Sequence, residues 1–225
     1  MADYATEQEI RNRIGKTTRT DDATLEALAT AASRAIDRFY NRPDSYFVAD
    51  STATARTYAG SGQAVQRIDD CVSISQVAVK DSVTDDTYTP WTTDDWQAGR
   101  GDPVSNPDFN RTPYTWIQCK PGGNYSSFTS GQYRGLKGFS IELDLASHAV
   151  PTVQVTAKWG GYASVPSLIK EAACMQVARW YKRFQSAMAD SLAAPEFGEL
   201  IYRQQLDPDV KFILRLGRYG RAAVG

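Results

Sequence analysis

Apolar positions recur at helical spacing near both ends of the chain and alternate at strand spacing between them. Thr6-Glu7-Gln8-Glu9 has the pattern of a capping box, in which the Thr6 hydroxyl accepts from the backbone of Glu9 and the Glu9 carboxylate reaches back. The helix it opens is expected to stop near Gly15. A second helix is predicted from Thr20–Asp22, whose acids suit the positive end of the helix dipole. Its apolar positions Leu25, Leu28, Ala29, Ala32, Ile36 and Phe39 define one buried face, and Asn41-Arg42-Pro43 ends it. From Ser45 the texture turns to Thr, Val, Tyr, Gly and Pro. Short strands are predicted at Ala55–Ala59, Ala64–Ile68, Ile74–Lys80, Tyr114–Lys120, Phe139–Leu145 and Val153–Trp159. Turns fall at residues 60–62 and 121–123, and the acidic, proline-bearing stretch Val83–Asn110 reads as an extended loop.

Helical periodicity resumes after Val165, with Pro166 suited to a first helical turn. Leu168, Ile169, Ala172, Ala173, Met175, Val177, Trp180, Tyr181 and Phe184 supply a broad apolar face. A final helix is predicted from Asp207 as cap and Pro208 as first residue, with Val210, Ile213 and Leu214 inward and Gly217 as the stop. Arg218–Gly225 reads as a basic, loosely held tail. The expected fold class is α+β. Helices of residues 1–44 and 161–225 fold together as a bundle, and residues 45–160 form a β-rich, sandwich-like insertion. Such an insertion costs little loop entropy.

Composition narrows the function classes. With 42% apolar and 23% charged residues, most of the chain is expected to fold as a globular protein. No apolar run approaches the ~20 residues of a membrane span. The opening residues lack the pattern of a signal peptide, which points to a protein made and kept in a cytoplasm. Cys71, Cys119 and Cys174 are odd in number, widely spaced and outside any C-x-x-C pair, so buried free thiols are expected. Residues 46–110 carry 4 Lys and Arg against 10 Asp and Glu, whereas residues 166–225 carry 9 against 6. That asymmetry, on a net charge of −1, suits oriented packing against partners more than a grip on phosphate.

Candidate chemistry is sparse. Gly15-Lys16-Thr17 matches the end of a P-loop, but Ile10 stands where its first glycine belongs and no strand precedes it. His148 is the only histidine and has no nucleophile signature beside it, so a surface loop is its expected place. The acid pairs Asp69-Asp70, Asp85-Asp86 and Asp94-Asp95 do not fit a calcium loop. No catalytic residue, cofactor or metal site is expected. Tyr88, Trp91, Trp96, Phe109, Tyr114 and Trp116 cluster in and beside the acidic stretch, where core packing and an interface both account for them.

One run of residues goes further. Val153–Lys158 leads into Trp159-Gly160-Gly161-Tyr162, then Val165-Pro166, then Leu168-Ile169-Lys170-Glu171-Ala172. This T-x-K-W-G-Y-type turn, V-P and I-K-x-A helix start resembles the head–tail connector (adaptor) family of long-tailed bacteriophages. Leu206-Asp207-Pro208-Asp209-Val210, with Leu214 and Arg218-Tyr219 after it, resembles that family's last helix and basic end. The helix pair closing on Phe39-Tyr40-Asn41-Arg42 fits its start. The likeness covers both helical ends, about half the chain, and the insertion departs from the shorter family members. Trp159, Gly160, Gly161, Tyr162 and Pro166 are read as fold residues at a strand-to-helix junction, Trp159 and Tyr162 plugging it, and not as an active site.

The resemblance implies a structural virion protein of the neck, assembled in the host cytoplasm. Such subunits form a ring, commonly of about twelve copies, beneath the portal protein. The ring extends the DNA channel without reading sequence and offers a platform to the next neck or tail component. On this reading Arg215, Arg218, Tyr219 and Arg221 dock on the portal. Asp85, Asp86, Trp91, Asp94, Asp95 and Trp96 form a loop that faces the channel or a partner. The alternative is a β-sandwich carbohydrate- or receptor-binding module of a virion, with a concave aromatic site on the insertion.

Overall fold

The computed structural model describes residues 2–109, 111–133, 148–189, 206–217 and 219. The predicted strand Phe139–Leu145 lies outside them. The fold is α+β, with four helices and a seven-stranded antiparallel sheet among the described residues. The chain divides into two compact units, one of residues 1–48 with 164–225 and one of residues 49–163.

The first unit is helical. Helix α1 (Glu7–Ile14) opens on the full capping box, with Thr6 and Glu9 each bonding the other's backbone, and closes on Gly15 in the left-handed region at φ 72°. Helix α2 (Asp22–Phe39) buries Leu25, Ala29, Ala32 and Ile36, as its spacing predicts. Helix α3 (Ser167–Ala189) packs against α1, α2 and α4 (Pro208–Gly217). Three helices share α3 because Ile169, Ala172, Ala173, Val177 and Tyr181 bury more than a single face of it. Pro166 stands one place earlier than expected: α3 begins at Ser167, and the Pro166 carbonyl accepts from Lys170 as a cap.

Polar groups tie the chain before α1 and after α2 to this core. The Tyr4 hydroxyl donates to the Asp37 carboxylate, which also accepts from the Ser45 backbone at 3.0 Å, and the Phe47 backbone donates to Tyr4 Oη. Asp37 is fully buried, and burial raises its pKa above the carboxylate norm. Phe47 then stands at the centre of edge-on contacts with Tyr4, Tyr40 and Tyr219.

The second unit is built on one long strand. β1 (Thr54–Ala59) pairs with β9 (Pro151–Trp159), which pairs with β2 (Val65–Val79). β2 then pairs with β6 (Tyr114–Cys119) and β3 (Thr89–Trp91), while β4 (Trp96–Asp102) joins β6 to β5 (Asn106–Asp108). A two-stranded ribbon, β7 (Gln132–Tyr133) with β8 (His148–Ala149), stands apart. The described strands make one continuous seven-stranded sheet and a ribbon.

Two further expectations are corrected. The strands predicted at Ala64–Ile68 and Ile74–Lys80 are one strand, because the polar run between them is carried through a register shift in the β2–β6 ladder. The acidic stretch Val83–Asn110 is not an extended loop but holds β3, β4 and β5. Its prolines fit because β3 pairs only with β2 and β5 only with β4, so Pro90 and Pro107 sit on edge strands.

Candidate functional site

The junction run occupies the end of β9 and the turn after it. Trp159 is buried, its indole Nε1 donates to the Thr54 carbonyl at 2.8 Å, and the Arg56 guanidinium lies 4.5 Å from its ring centre. Gly160 has φ 134°, a conformation that disfavours a side chain, and its N–H donates to the Asp70 carbonyl. Gly161 is buried and has no positive φ, so only the first glycine is needed for the turn. The Trp159 and Tyr162 carbonyls accept from the backbone of Asp50 and Ala49, which closes the sheet unit where its chain enters and leaves. Trp159 is thus a core residue of the sheet unit.

The acidic and aromatic residues expected to form one loop are separated. Trp91 is buried, stacked on Tyr125 at 4.2 Å and on Phe128 at 5.0 Å. Asp95 is buried as well. Its carboxylate accepts from the Thr92 hydroxyl at 2.6 Å and backbone at 3.1 Å, and from the backbone and side chain of Asn124, both at 2.9 Å. Those bonds, the Thr92 hydroxyl foremost, hold its pKa below the usual carboxylate range. Asp95 therefore staples two turns and is no free charge. Asp85 accepts from the Ser82 backbone in a local turn, while Asp86 and Asp94 are exposed. Trp116, from the same aromatic cluster, is fully buried and donates to the Gly101 carbonyl.

Trp96 has a different setting. With Ile74, Phe109, Tyr114 and Lys120 it lines an open depression of about 360 Å³ on the sheet unit. Its indole N–H is buried with no hydrogen-bond partner among the described residues. The sequence marked Trp96, Phe109 and Tyr114 as aromatic but gave no sign that strand pairing would bring Ile74 and Lys120 beside them.

At the C-terminal end, Arg215 is exposed on α4, and Tyr219 packs on Tyr40 and Phe47 at 6.1 and 5.7 Å. Arg218 and Arg221 lie outside the described residues. Tyr219 is an anchor to the helical unit, which the reading of a loose tail missed. Before α4, Asp207 is buried: its carboxylate accepts from Arg183 at 2.7 Å, and its N–H donates to Gln176 at 3.0 Å.

Cys71, Cys119 and Cys174 are buried and unpaired, and burial pushes the Cys71 thiol up to about 12. Among the described residues, no three His, Cys, Asp or Glu side chains converge as metal ligands. No helix among them is long and apolar enough to cross a membrane.

No protein-family model matches the chain, and no curated protein matches it. Two solved structures are similar to it. One is a chain from the virion of a native gene transfer agent particle, with TM-score 0.48, 15% identity, and 97% of this chain and 91% of that chain covered. The other is a chain from the neck of an empty gene transfer agent particle computed with C6 symmetry, with TM-score 0.45 and the same identity and coverage.

Proposed function

We propose that the chain is a structural neck subunit of a tailed phage or phage-like particle, a head–tail connector that joins capsid to tail. The observation that carries this reading is the run Trp159-Gly160-Gly161-Tyr162, Val165-Pro166 and Ile169-Lys170-Glu171-Ala172, together with Asp207-Pro208-Asp209-Val210. The reading rests on these residues and not on the similarity to the gene transfer agent chains. The local structure supports it: the first run spans the last strand, the Gly160 turn, the Pro166 cap and the start of α3, and the second opens α4. In this role α1–α4 form the bundle that makes ring contacts, and the ring extends the DNA channel under the portal. The subunit works as an assembly part and performs no chemistry.

Arg215 and the arginines at 218 and 221 are proposed to dock on the portal, with Tyr219 fastening the segment to the helical unit. Changing all three arginines to Glu is expected to abolish capture by a portal ring while the far-ultraviolet circular dichroism stays unchanged. Capture at the wild-type level sinks this assignment. Asp86 and Asp94 are the exposed acids proposed to keep DNA from sticking to the channel or to meet a partner.

A second reading is favoured by one observation, the aromatic-lined depression around Trp96. In a carbohydrate-binding module, a glycan stacks on Trp96 and Tyr114 there and binds saturably. A glycan-array screen read through tryptophan fluorescence separates the two readings, because the connector reading predicts no saturable ligand.

A further inference from the structure

Gly217 closes α4, but not in the way its place in the sequence suggests. A glycine at a helix end ordinarily serves as a left-handed cap, as Gly15 does after α1. Gly217 has no positive φ and is still helical, so its backbone conformation does not call for glycine. The space around it does. The three atoms nearest to a Cβ built at position 217 all belong to the Tyr219 ring, the first at 2.3 Å and the second at 2.6 Å. Carbon atoms rest against each other at ~3.5–4.0 Å, so a methyl group there drives the ring about 1 Å or more from its seat.

That seat is firmly built within the helical unit. The Tyr219 ring lies edge-on to Tyr40 at 6.1 Å and to Phe47 at 5.7 Å. Phe47 is fully buried, and its backbone N–H donates to Tyr4 Oη at 3.2 Å. Tyr40, which ends α2, donates its hydroxyl to the Leu214 carbonyl. That carbonyl is one of the four that the last turn of α4 leaves without a helical partner. Tyr40 therefore meets both the end of α4 and the ring just past it.

We infer that Tyr219 folds back over Gly217 as a latch that fixes the chain just past α4, and that Gly217 is a positioning residue for the portal-docking segment. The arginines of that segment, at 215, 218 and 221, flank the latch in the sequence. A cationic segment anchored at Tyr219 loses less conformational freedom on docking than one released after Leu216. The inference rests on the connector reading and deepens it by naming the residue that prepares the docking segment. It also fixes a sign. Alanine is the better helix former, so a purely helical role makes Gly217→Ala neutral or stabilising. The latch makes the same substitution harmful to docking.

The test uses the full chain and the purified portal ring of the same particle. Gly217→Ala is expected to weaken capture by the ring at least about tenfold, and Tyr219→Ala by a similar factor, with the far-ultraviolet circular dichroism of both unchanged. Because Gly217 acts through Tyr219, the double variant should bind no more weakly than Tyr219→Ala alone. Trypsin reads the latch without the portal: cleavage after Arg218 should be at least about threefold faster in Gly217→Ala than in wild type. Wild-type capture of Gly217→Ala, losses that add in the double variant, or an unchanged cleavage rate each overturn the inference and leave the connector reading standing. A wild-type chain that the portal ring does not capture is the failure of the connector reading, and it overturns the docking role of the latch whatever the cleavage rate.

Discussion

Replacing Trp91 with Ala distinguishes a core residue from an interface residue. The indole is sandwiched between Tyr125 and Phe128, with interplanar angles of 5° and 20°. Deleting a buried Trp costs ~3–5 kcal/mol in transfer and cavity terms. Phe128, itself 1% exposed, is too enclosed to refill the space, whereas the half-buried Tyr125 can settle inward, so we expect about 4 kcal/mol. At roughly 4 °C per kcal/mol for a unit of this size, the sheet unit should melt ~15 °C lower. Trp91→Phe keeps one stacked ring and should cost only about 1–2 kcal/mol. The assay is thermal unfolding followed by far-ultraviolet circular dichroism, which does not depend on the fluorescence of the deleted indole. A Trp91→Ala protein that melts within 2 °C of wild type refutes the core assignment, since an interface side chain is dispensable to the isolated subunit.

Three other outcomes follow from the same geometry. Asp207→Ala removes the buried acceptor of Arg183 and the charge facing Arg179, and with both arginines partly in water the loss should be about 2 kcal/mol in urea titration. Glu9 has its pKa lowered by the hydrogen bond from Lys170 and then by the Thr6 backbone, so its contribution is present above the ordinary Glu pKa and lost as pH falls through the lowered value. Glu9→Gln should flatten that acidic part of the stability–pH curve, and an unchanged slope there would speak against the bond. Asp86→Asn with Asp94→Asn should raise DNA retention by the assembled subunit in a filter assay if these acids face the channel, and no gain counts against that placement.

Helix ends and faces were legible because their signals are local. The Thr6–Glu9 box, the Gly15 stop and the Leu25–Ile36 face depend on residues within a few turns of each other. The sheet was harder to read. Arg67, Asp69 and Asp70 put three charges into four positions of β2, and the irregular pairing with β6 at that point accommodates them. β3 and β5 are short and proline-bearing, β4 carries two glycines, and all three exist through partners that local propensity does not see. The candidate site followed the same rule. Trp91 and Asp95 looked like members of an acidic surface loop, but Tyr125, Phe128 and Asn124, all later in the chain, turn the first into core and the second into a staple. Tyr219 read as part of a basic tail because its partners, Tyr40 and Phe47, come from the opposite end of the sequence.

The central claim is that this chain assembles on a portal. The direct measurement is the mass and shape of the purified protein, alone and mixed with the portal ring of the same particle, by light scattering and electron microscopy. The account predicts a stable complex with a closed ring of this subunit beneath the portal. A protein that elutes apart from the portal and forms no ring in either state contradicts it.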